Sequence, residues 1–147
     1  MNKTLTQRNK TLTQRSRFEC SYLMPTLDDQ KGTYVLNSHS YLVEVVVEVP
    51  DSLVITFEQL KAILDANLFD KQFLYNSESD DAISEIVKCL SEIGVPCTGF
   101  DDALCAESIA DRLARSVCYD LACEGVQLVE LKLKENSNSF VTVRVKP

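Results

Sequence analysis

The segment that decides the fold spans residues 37 to 49 and reads Asn37-Ser38-His39-Ser40-Tyr41-Leu42-Val43-Glu44-Val45-Val46-Val47-Glu48-Val49. Residues two apart in a β-strand lie on the same face of a sheet. The pattern therefore predicts one long strand whose inner face begins with Asn37, His39 and Tyr41 and continues with four valines. An imidazole at the head of a buried face is typical of a ligand or catalytic site, yet His39 is the only histidine in the chain.

Composition indicates a single soluble globular domain. The chain has 147 residues, 45% of them hydrophobic and 25% charged, which is ordinary for one folded domain. Residues 1–17 carry five cations and no acid, so removing them from the net charge of −7 leaves −12 on the remainder. This acidic body argues against nucleic acid as a partner. No apolar run is long enough for a membrane span or a signal peptide, so we expect a cytoplasmic protein without a membrane partner.

The first fifteen residues contain a repeated heptapeptide, Asn-Lys-Thr-Leu-Thr-Gln-Arg, at 2–8 and again at 9–15. One recurrence of seven residues excludes a solenoid. The polar, basic composition predicts a disordered basic arm over 1–16, either a relic of duplication or a functional extension. A single domain is then expected over 17–147.

Six cysteines in such a chain favour free thiols over a disulfide framework. None of the pairs has C-x-x-C spacing, and a zinc finger would need a second histidine. We expect buried thiols that pack as small apolar groups, with Cys105 considered separately below.

Periodicity predicts an α+β domain in which helices separate two pairs of strands. A capping box at Thr56 and Gln59 marks the start of the first helix, Asp80 begins the second, and Asp101 or Asp102 caps the third. The expected strands cover 17–24, 37–49, 126–135 and 139–146. The predicted fold is a four-stranded antiparallel sheet with the helices on one face. Its open edges indicate oligomerisation.

Four short segments carry a resemblance to a known family, each weak alone but all in the same order. They are the strand at 37–45, the helix start Thr56-Phe57-Glu58-Gln59-Leu60-Lys61, the segment Asp70-Lys71-Gln72-Phe73-Leu74, and the segment Leu104-Cys105-Ala106-Glu107-Ser108-Ile109-Ala110. The chain resembles the 6-pyruvoyl- and 6-carboxytetrahydropterin synthases over about residues 18–143. The resemblance implies the tunnelling fold, a homo-oligomer (trimer, tetramer or hexamer) with clefts between subunits, and pterin chemistry of the kind used in queuosine or tetrahydrobiopterin biosynthesis.

The resemblance also implies a zinc ion held by three histidines, and here the sequence departs from the family. Only His39 remains, because Asn37 and Tyr22 occupy the other two positions. Catalytic zinc normally keeps three protein ligands, and an amide and a phenol are poor substitutes for imidazoles. We therefore expect no metal or other cofactor, with zinc bound only if the family pattern holds despite these substitutions. The alternative for His39 is a hydrogen-bonded histidine without a metal, left in a polar pocket.

The family's proton carriers are altered as well. Thr33 stands at the position of the family cysteine, and a hydroxyl is a weaker acid and nucleophile than a thiol. Asp70 is kept, but Lys71 replaces the histidine beside it. Lys71 could act as a base only if burial lowered its pKa by several units. The alternative is a solvated lysine, or one paired with an acid.

Ligand binding is the family property that the sequence retains best. Glu135 matches the glutamate with which the family accepts hydrogen bonds from the pterin ring, and Cys105 matches the threonine beside the pterin. A carboxylate facing two adjacent N–H donors makes a strong two-point contact. The alternatives are a solvated strand end beside Lys134 for Glu135 and a packed thiol at a helix start for Cys105.

Three hypotheses follow from these observations. The first is a divergent family member that has lost zinc-dependent synthase chemistry and keeps a pocket for a pterin or purine-like molecule, with Glu135, Cys105 and His39 as ligand-binding residues. The second is an active pterin-processing enzyme of altered chemistry, with Asp70 and Lys71 as catalytic residues. The third is a structural or regulatory subunit of a mixed oligomer. The segment 76–100 is longer than the family needs, and we expect it to cover the site or alter subunit packing.

Overall fold

A computed structural model describes residues 9–25, 34–78 and 80–146. These residues form six strands and three helices. In chain order the elements are β1 (Asn9–Pro25), β2 (Tyr34–Pro50), α1 (Phe57–Ala66), β3 (Gln72–Asn76), α2 (Asp81–Glu92), β4 (Cys97–Phe100), α3 (Ala106–Cys123), β5 (Gln127–Lys134) and β6 (Phe140–Arg144). Within this part of the chain no helix is long and apolar enough to cross a membrane.

The sheet has six strands in the order β4-β3-β1-β2-β5-β6. Strands β1, β2, β5 and β6 are antiparallel neighbours, as expected from the sequence. The expectation of only four antiparallel strands is wrong, because β3 and β4 extend the sheet and pair in parallel with β1 and with each other. Both added strands follow helices, which provide the crossovers that parallel pairing requires.

The hydrophobic core lies between one face of the sheet and helices α1 and α3. The valines of β2 alternate as predicted, since Val43, Val45 and Val47 are fully buried. Across the interface α1 contributes Leu60 and Leu64, and α3 contributes a longer apolar stripe. We call this side of the sheet the core face.

Helix α2 lies against the opposite side of the sheet, which we call the outer face. Phe73 of β3 is the register partner of Ser21, whose side chain points away from the core, and Ile86 and Leu90 of α2 line a groove with Ser21. Of the α2 residues only Ile83 is buried. The segment 76–100 thus adds a helix and a strand at this sheet edge.

Local hydrogen bonds confirm two of the predicted helix starts and correct the third. Thr56 and Gln59 form the capping box, with Thr56 Oγ1 accepting from the Gln59 backbone at 3.0 Å, and Asp80 caps α2. The third helix begins after Cys105 and not at Asp101 or Asp102. Asp101 instead accepts a hydrogen bond from Ser77 Oγ, so this carboxylate is used to hold the preceding turn.

The first strand begins eight residues before the predicted position. Residues 9–16, which we expected to belong to a disordered arm, pair with β2 from Val43 to Pro50. Leu12 packs against the core, and Arg15 Nε donates to Glu44 Oε2 at 2.7 Å. The first copy of the heptapeptide lies outside the described residues.

Candidate functional site

Two aligned pairs of side chains form the polar end of the core face. Tyr22 lies opposite Asn37, and Cys20 opposite His39, where β1 and β2 run side by side. The ring centroid of His39 is 5.7 Å from that of Tyr22 and 5.4 Å from that of Tyr41. Because direct neighbours across an antiparallel pair share a face, the imidazole is held among aromatic rings at the edge of the core.

Glu135 meets His39 at this edge. His39 Nδ1 lies 3.1 Å from Glu135 Oε1, and the two side chains are 20% and 43% exposed. Glu135 follows directly after β5, and its backbone N–H donates to Ser139 O at 3.0 Å, which closes the turn into β6. The turn therefore fixes the backbone of Glu135 while the carboxylate still reaches solvent.

The hydroxyl groups of Tyr22 and Tyr41 and the thiol of Cys20 are held in their neutral forms. Burial raises the pKa of Tyr22, and the hydrogen bond to Tyr41 opposes that rise. Burial together with the same hydrogen bond raises the pKa of Tyr41. Burial also raises the pKa of the Cys20 thiol from 9.0 to about 12. Since the charged form of each group is disfavoured, none of the three supplies an anion near neutral pH.

Cys105 occupies the start of α3. Its backbone N–H donates to Ser108 Oγ at 3.2 Å, and Ser108 Oγ donates back to the Cys105 carbonyl at 3.0 Å. Cys105 and Glu135 are both close enough to Tyr22 to contribute to the rise in its pKa. The structure therefore brings together four of the predicted site residues: Tyr22, His39, Cys105 and Glu135.

Asp70 and Lys71 are held against the backbone of Glu19 in β1. Asp70 Oδ1 accepts from the Glu19 backbone N–H at 3.0 Å, and the Lys71 N–H donates to Glu19 O at 2.6 Å. Lys71 lines a groove that Cys20 and His39 also line, while the His39 ring packs beside Tyr22 and Tyr41. Asn37 donates to Val35 O at 3.5 Å, and Thr33 lies outside the described residues.

Comparison with known proteins gives a consistent result. Residues 11–146 match the family model described as 6-pyruvoyl tetrahydropterin synthase. The chain belongs to this family. No curated protein sequence matches it, so the assignment rests on the family model and on the fold.

Solved structures share the fold at low sequence identity. An uncharacterised protein from Wolinella succinogenes superposes with a TM-score of 0.63 at 14% identity, covering 93% of this chain and 99% of its own. The 6-pyruvoyl tetrahydropterin synthase of Caenorhabditis elegans gives 0.59 at 13%, covering 95% and 97%. The Plasmodium falciparum synthase gives 0.58 at 17%, covering 92% and 96%.

The family implies zinc, and the donor groups at the corresponding positions do not fit it. His39 is one imidazole, and its Nδ1 already faces Glu135. The raised pKa of Tyr22 disfavours the phenolate that a metal would require. Asn37 offers only a neutral amide oxygen. Among the described residues no group of three or more histidine, cysteine, aspartate or glutamate side chains could hold a metal ion.

Two contributors to the site are absent from the sequence-based assignment. Tyr41 is joined to Tyr22 by a hydrogen bond, and Cys20 lies under the imidazole as the register partner of His39. Tyr41 could have been found from the sequence, because it lies two residues after His39 and therefore on the same face of β2. Cys20 could be found only from the register between β1 and β2, which a single sequence does not specify.

Proposed function

We propose that this protein is a divergent cytoplasmic member of the 6-pyruvoyl tetrahydropterin synthase family. It binds a pterin or purine-like heterocycle at Glu135 and does not carry out zinc-dependent synthase chemistry. The observation that carries this proposal is the contact between His39 Nδ1 and Glu135 Oε1 at 3.1 Å. It holds the carboxylate at the mouth of the polar end of the core face.

The chemistry of the pair suits such a ligand. A pterin or guanine presents an amino group beside a ring N–H, and one carboxylate can accept from both. Glu135 Oε1 faces the imidazole, while the 43% exposure of the side chain leaves the carboxylate accessible to a planar molecule. The rings of Tyr22 and Tyr41 lie buried beside His39 and hold the imidazole in place next to the carboxylate.

The same contacts argue against synthase catalysis. The metal-binding histidines are reduced to His39, and a lysine, Lys71, stands at the position of the family's proton-carrying histidine. The test is activity on dihydroneopterin triphosphate with and without chelator, together with metal analysis of the purified protein. We expect no turnover and no stoichiometric zinc, and chelator-sensitive turnover would overturn this part of the proposal.

Ligand binding is tested by thermal shift with neopterin, biopterin, guanine and urate. Wild-type protein is expected to be stabilised by at least one of them, and Glu135→Gln is expected to lose that stabilisation. Glu130→Gln is the matched control, since Glu130 lies on β5, just before Glu135 in the chain, and pairs with Arg144 on the outer face. Equal shifts in all three proteins, or none in any, would remove the pocket.

The open sheet edges support a second proposal, assembly into a homo-oligomer with clefts between subunits. In the described part of the chain β3 pairs with β1 only at Cys20–Tyr22, and the Glu19 backbone bonds to Asp70 and Lys71, so residues 9–18 have one edge without a partner strand. Strand β6 pairs only with β5. Light scattering should give a closed ring of three, four or six copies. A monomer that assembles only with another chain would favour the mixed oligomer instead.

A further inference from the structure

The outer face of the sheet carries a compact cluster of basic side chains. The strand register aligns two neighbouring rows of residues across β1, β2 and β5, which are Arg15-Glu44-Lys132 and Arg17-Leu42-Lys134. The rows are two residues apart along each strand, so all six side chains lie on one face of the sheet. We call these six residues the basic patch. It holds four cations and one carboxylate, in a chain whose net charge is −7.

The contacts at the centre of the basic patch leave positive charge in excess. Arg15 Nε lies 2.7 Å from Glu44 Oε2, and Lys134 Nζ lies 3.9 Å from the same oxygen. The two cations are therefore no farther apart than these two distances combined, and a single carboxylate serves both. The side chains of Glu44 and Lys134 are only 12% and 27% exposed, so these charges are partly withdrawn from water. Cations held this close repel each other, and a bound anion lowers that energy.

The other two cations of the basic patch have no acidic partner. Neither Arg17 nor Lys132 forms an ion pair within the described part of the chain. Lys132 Nζ lies instead 5.6 Å from the centroid of the Phe140 ring. Arg15 reaches Glu44 through Nε, and its side chain is 65% exposed, so its two terminal nitrogens remain accessible to a ligand. Each cation can thus donate to an added anion.

Acidic side chains border the basic patch at both ends. In the row on one side Glu19 lies opposite Ser40, and in the row on the other side Glu130 pairs with Arg144 at 3.5 Å. The excess of cations is therefore confined to two rows, which span roughly 10 Å across the strands and roughly 7 Å along them. A long polyanion such as a nucleic acid would extend onto the bordering acids, whereas a short one fits between them.

We propose that the basic patch binds a short linear oligophosphate, of which inorganic triphosphate is the simplest. Linked phosphate groups carry several negative charges in a footprint of this size, and arginine and lysine are the side chains with which proteins bind phosphate. The phosphate chain contacts Arg15 and Lys134, where one carboxylate leaves the charge uncompensated, and reaches Arg17 and Lys132 at the remaining corners. None of the six residues lines the groove beside the Glu135 site, so the proposal is independent of pterin binding.

Calorimetric titration of the full chain with inorganic triphosphate tests the proposal. Low ionic strength and the absence of divalent cations are required, because salt screens exposed charges. We expect saturable binding of triphosphate, and binding of orthophosphate about tenfold weaker, since the smaller anion contacts fewer of the cations. Parallel titration with ATP distinguishes a free oligophosphate from the phosphate chain of a nucleotide, and saturable binding of either one supports the proposal.

Charge variants locate the site on the basic patch. Lys132→Met and Arg17→Met each remove a cation without an acidic partner and should weaken binding about tenfold. Lys88→Met, at an exposed position of α2, changes the net charge equally and should bind like the wild type. Glu44→Gln should act in the opposite direction and tighten binding about tenfold, because it removes the one carboxylate of the patch.

Circular dichroism verifies that each variant is folded, and the lysine and arginine variants keep the test valid if Glu44→Gln does not fold. Three results overturn the proposal: no saturable binding of triphosphate or ATP, an equal loss of affinity in Lys88→Met and Lys132→Met, or equally tight binding of a hexa-aspartate peptide or a single-stranded oligonucleotide. Each of them leaves the pterin test at Glu135 unaffected.

Discussion

The two faces of the sheet differ in how completely they are covered. On the core face α1 and α3 bury the valines of β2 and the leucines of β5. On the outer face α2 buries only Ile83 of its own residues, and charged side chains such as Arg15, Glu44 and Lys134 form a surface network.

This difference separates stability from recognition. Apolar area removed from water stabilises the fold by roughly 25 cal/mol per Å², and most of it lies on the core face. Exposed ion pairs contribute about 0–1 kcal/mol each, so the outer face can change with little loss of stability. The Glu135 site lies at the rim of the stable core.

The largest expected effect is a difference between leucines on the two faces. Leu113→Ala in α3, where the side chain is fully buried, should lower the free energy of unfolding by about 2–5 kcal/mol. Leu36→Ala, which is 63% exposed on the outer face, should change it by about 0.5 kcal/mol or less. Urea denaturation measures both, and similar losses would show that the two faces are equally important.

Alkaline pH should lower the free energy of unfolding through buried groups on the core face. The Cys20 thiol ionises near its usual value in the unfolded chain but has a pKa of about 12 when folded. Between these values the unfolded state binds fewer protons, so the free energy of unfolding falls by about 1.4 kcal/mol per pH unit for this group. Tyr22 and Tyr41, with raised pKa values, act in the same direction.

The contribution of Cys20 is isolated by comparing variants from pH 9 to 11. Cys20→Ala should flatten the pH dependence, even though the cavity lowers its stability at neutral pH. Cys123→Ala is the control, because Cys123 is exposed. An unchanged slope in Cys20→Ala would contradict the neutral, buried thiol.

Loss of the N-cap of α1 should have an effect of intermediate size on the free energy of unfolding. Thr56→Ala removes the hydroxyl that accepts the Gln59 N–H and should cost about 1 kcal/mol. Thr11→Ala, at an exposed position of β1, should cost less. Thermal melting compares the two, and equal destabilisation would mean that the capping box contributes little.

The smallest expected change is a gain on the outer face. Lys71 has a φ of +57°, and Lys71→Gly should relieve this positive φ and raise the free energy of unfolding by about 0.5–1 kcal/mol. Gly94→Ala is the matched opposite. Gly94 has a φ of +87° and open space around an added Cβ, so the substitution should cost about 1 kcal/mol through strain alone. A loss of stability in Lys71→Gly would show that the lysine side chain makes a stabilising contact.

Much of the fold could be predicted because its signals are local. The alternation of β2, the apolar stripes of the helices and the capping residues of α1 and α2 each depend on residues close in sequence. Strands β3 and β4 were missed because they are only five and four residues long, and their parallel pairing depends on contacts distant in the chain. Residues 9–16 were misjudged because they are polar, and pairing with β2 overrides their weak intrinsic preference.

The site was predictable to a similar extent. Alternation placed His39 and Glu135 at the ends of apolar rows, and the structure brings them to 3.1 Å. Asp70 and Lys71 come just before β3 and are held against the Glu19 backbone, and Lys71 lines the groove that Cys20 and His39 also line. The direction in which a turn residue with positive φ points is not encoded by its own identity, so the sequence could not place the side chain of Lys71.

The duplicated heptapeptide has a consequence for the evolution of the sheet. Because residues 2–8 and 9–15 are identical, excising either copy produces the same polypeptide, and Ser16 keeps the same seven neighbours on its amino-terminal side. Deletion of one copy would thus leave the sequence that pairs with β2 unchanged. The residues that pair with β2 between Val45 and Pro50 therefore have the same identities whichever copy is removed.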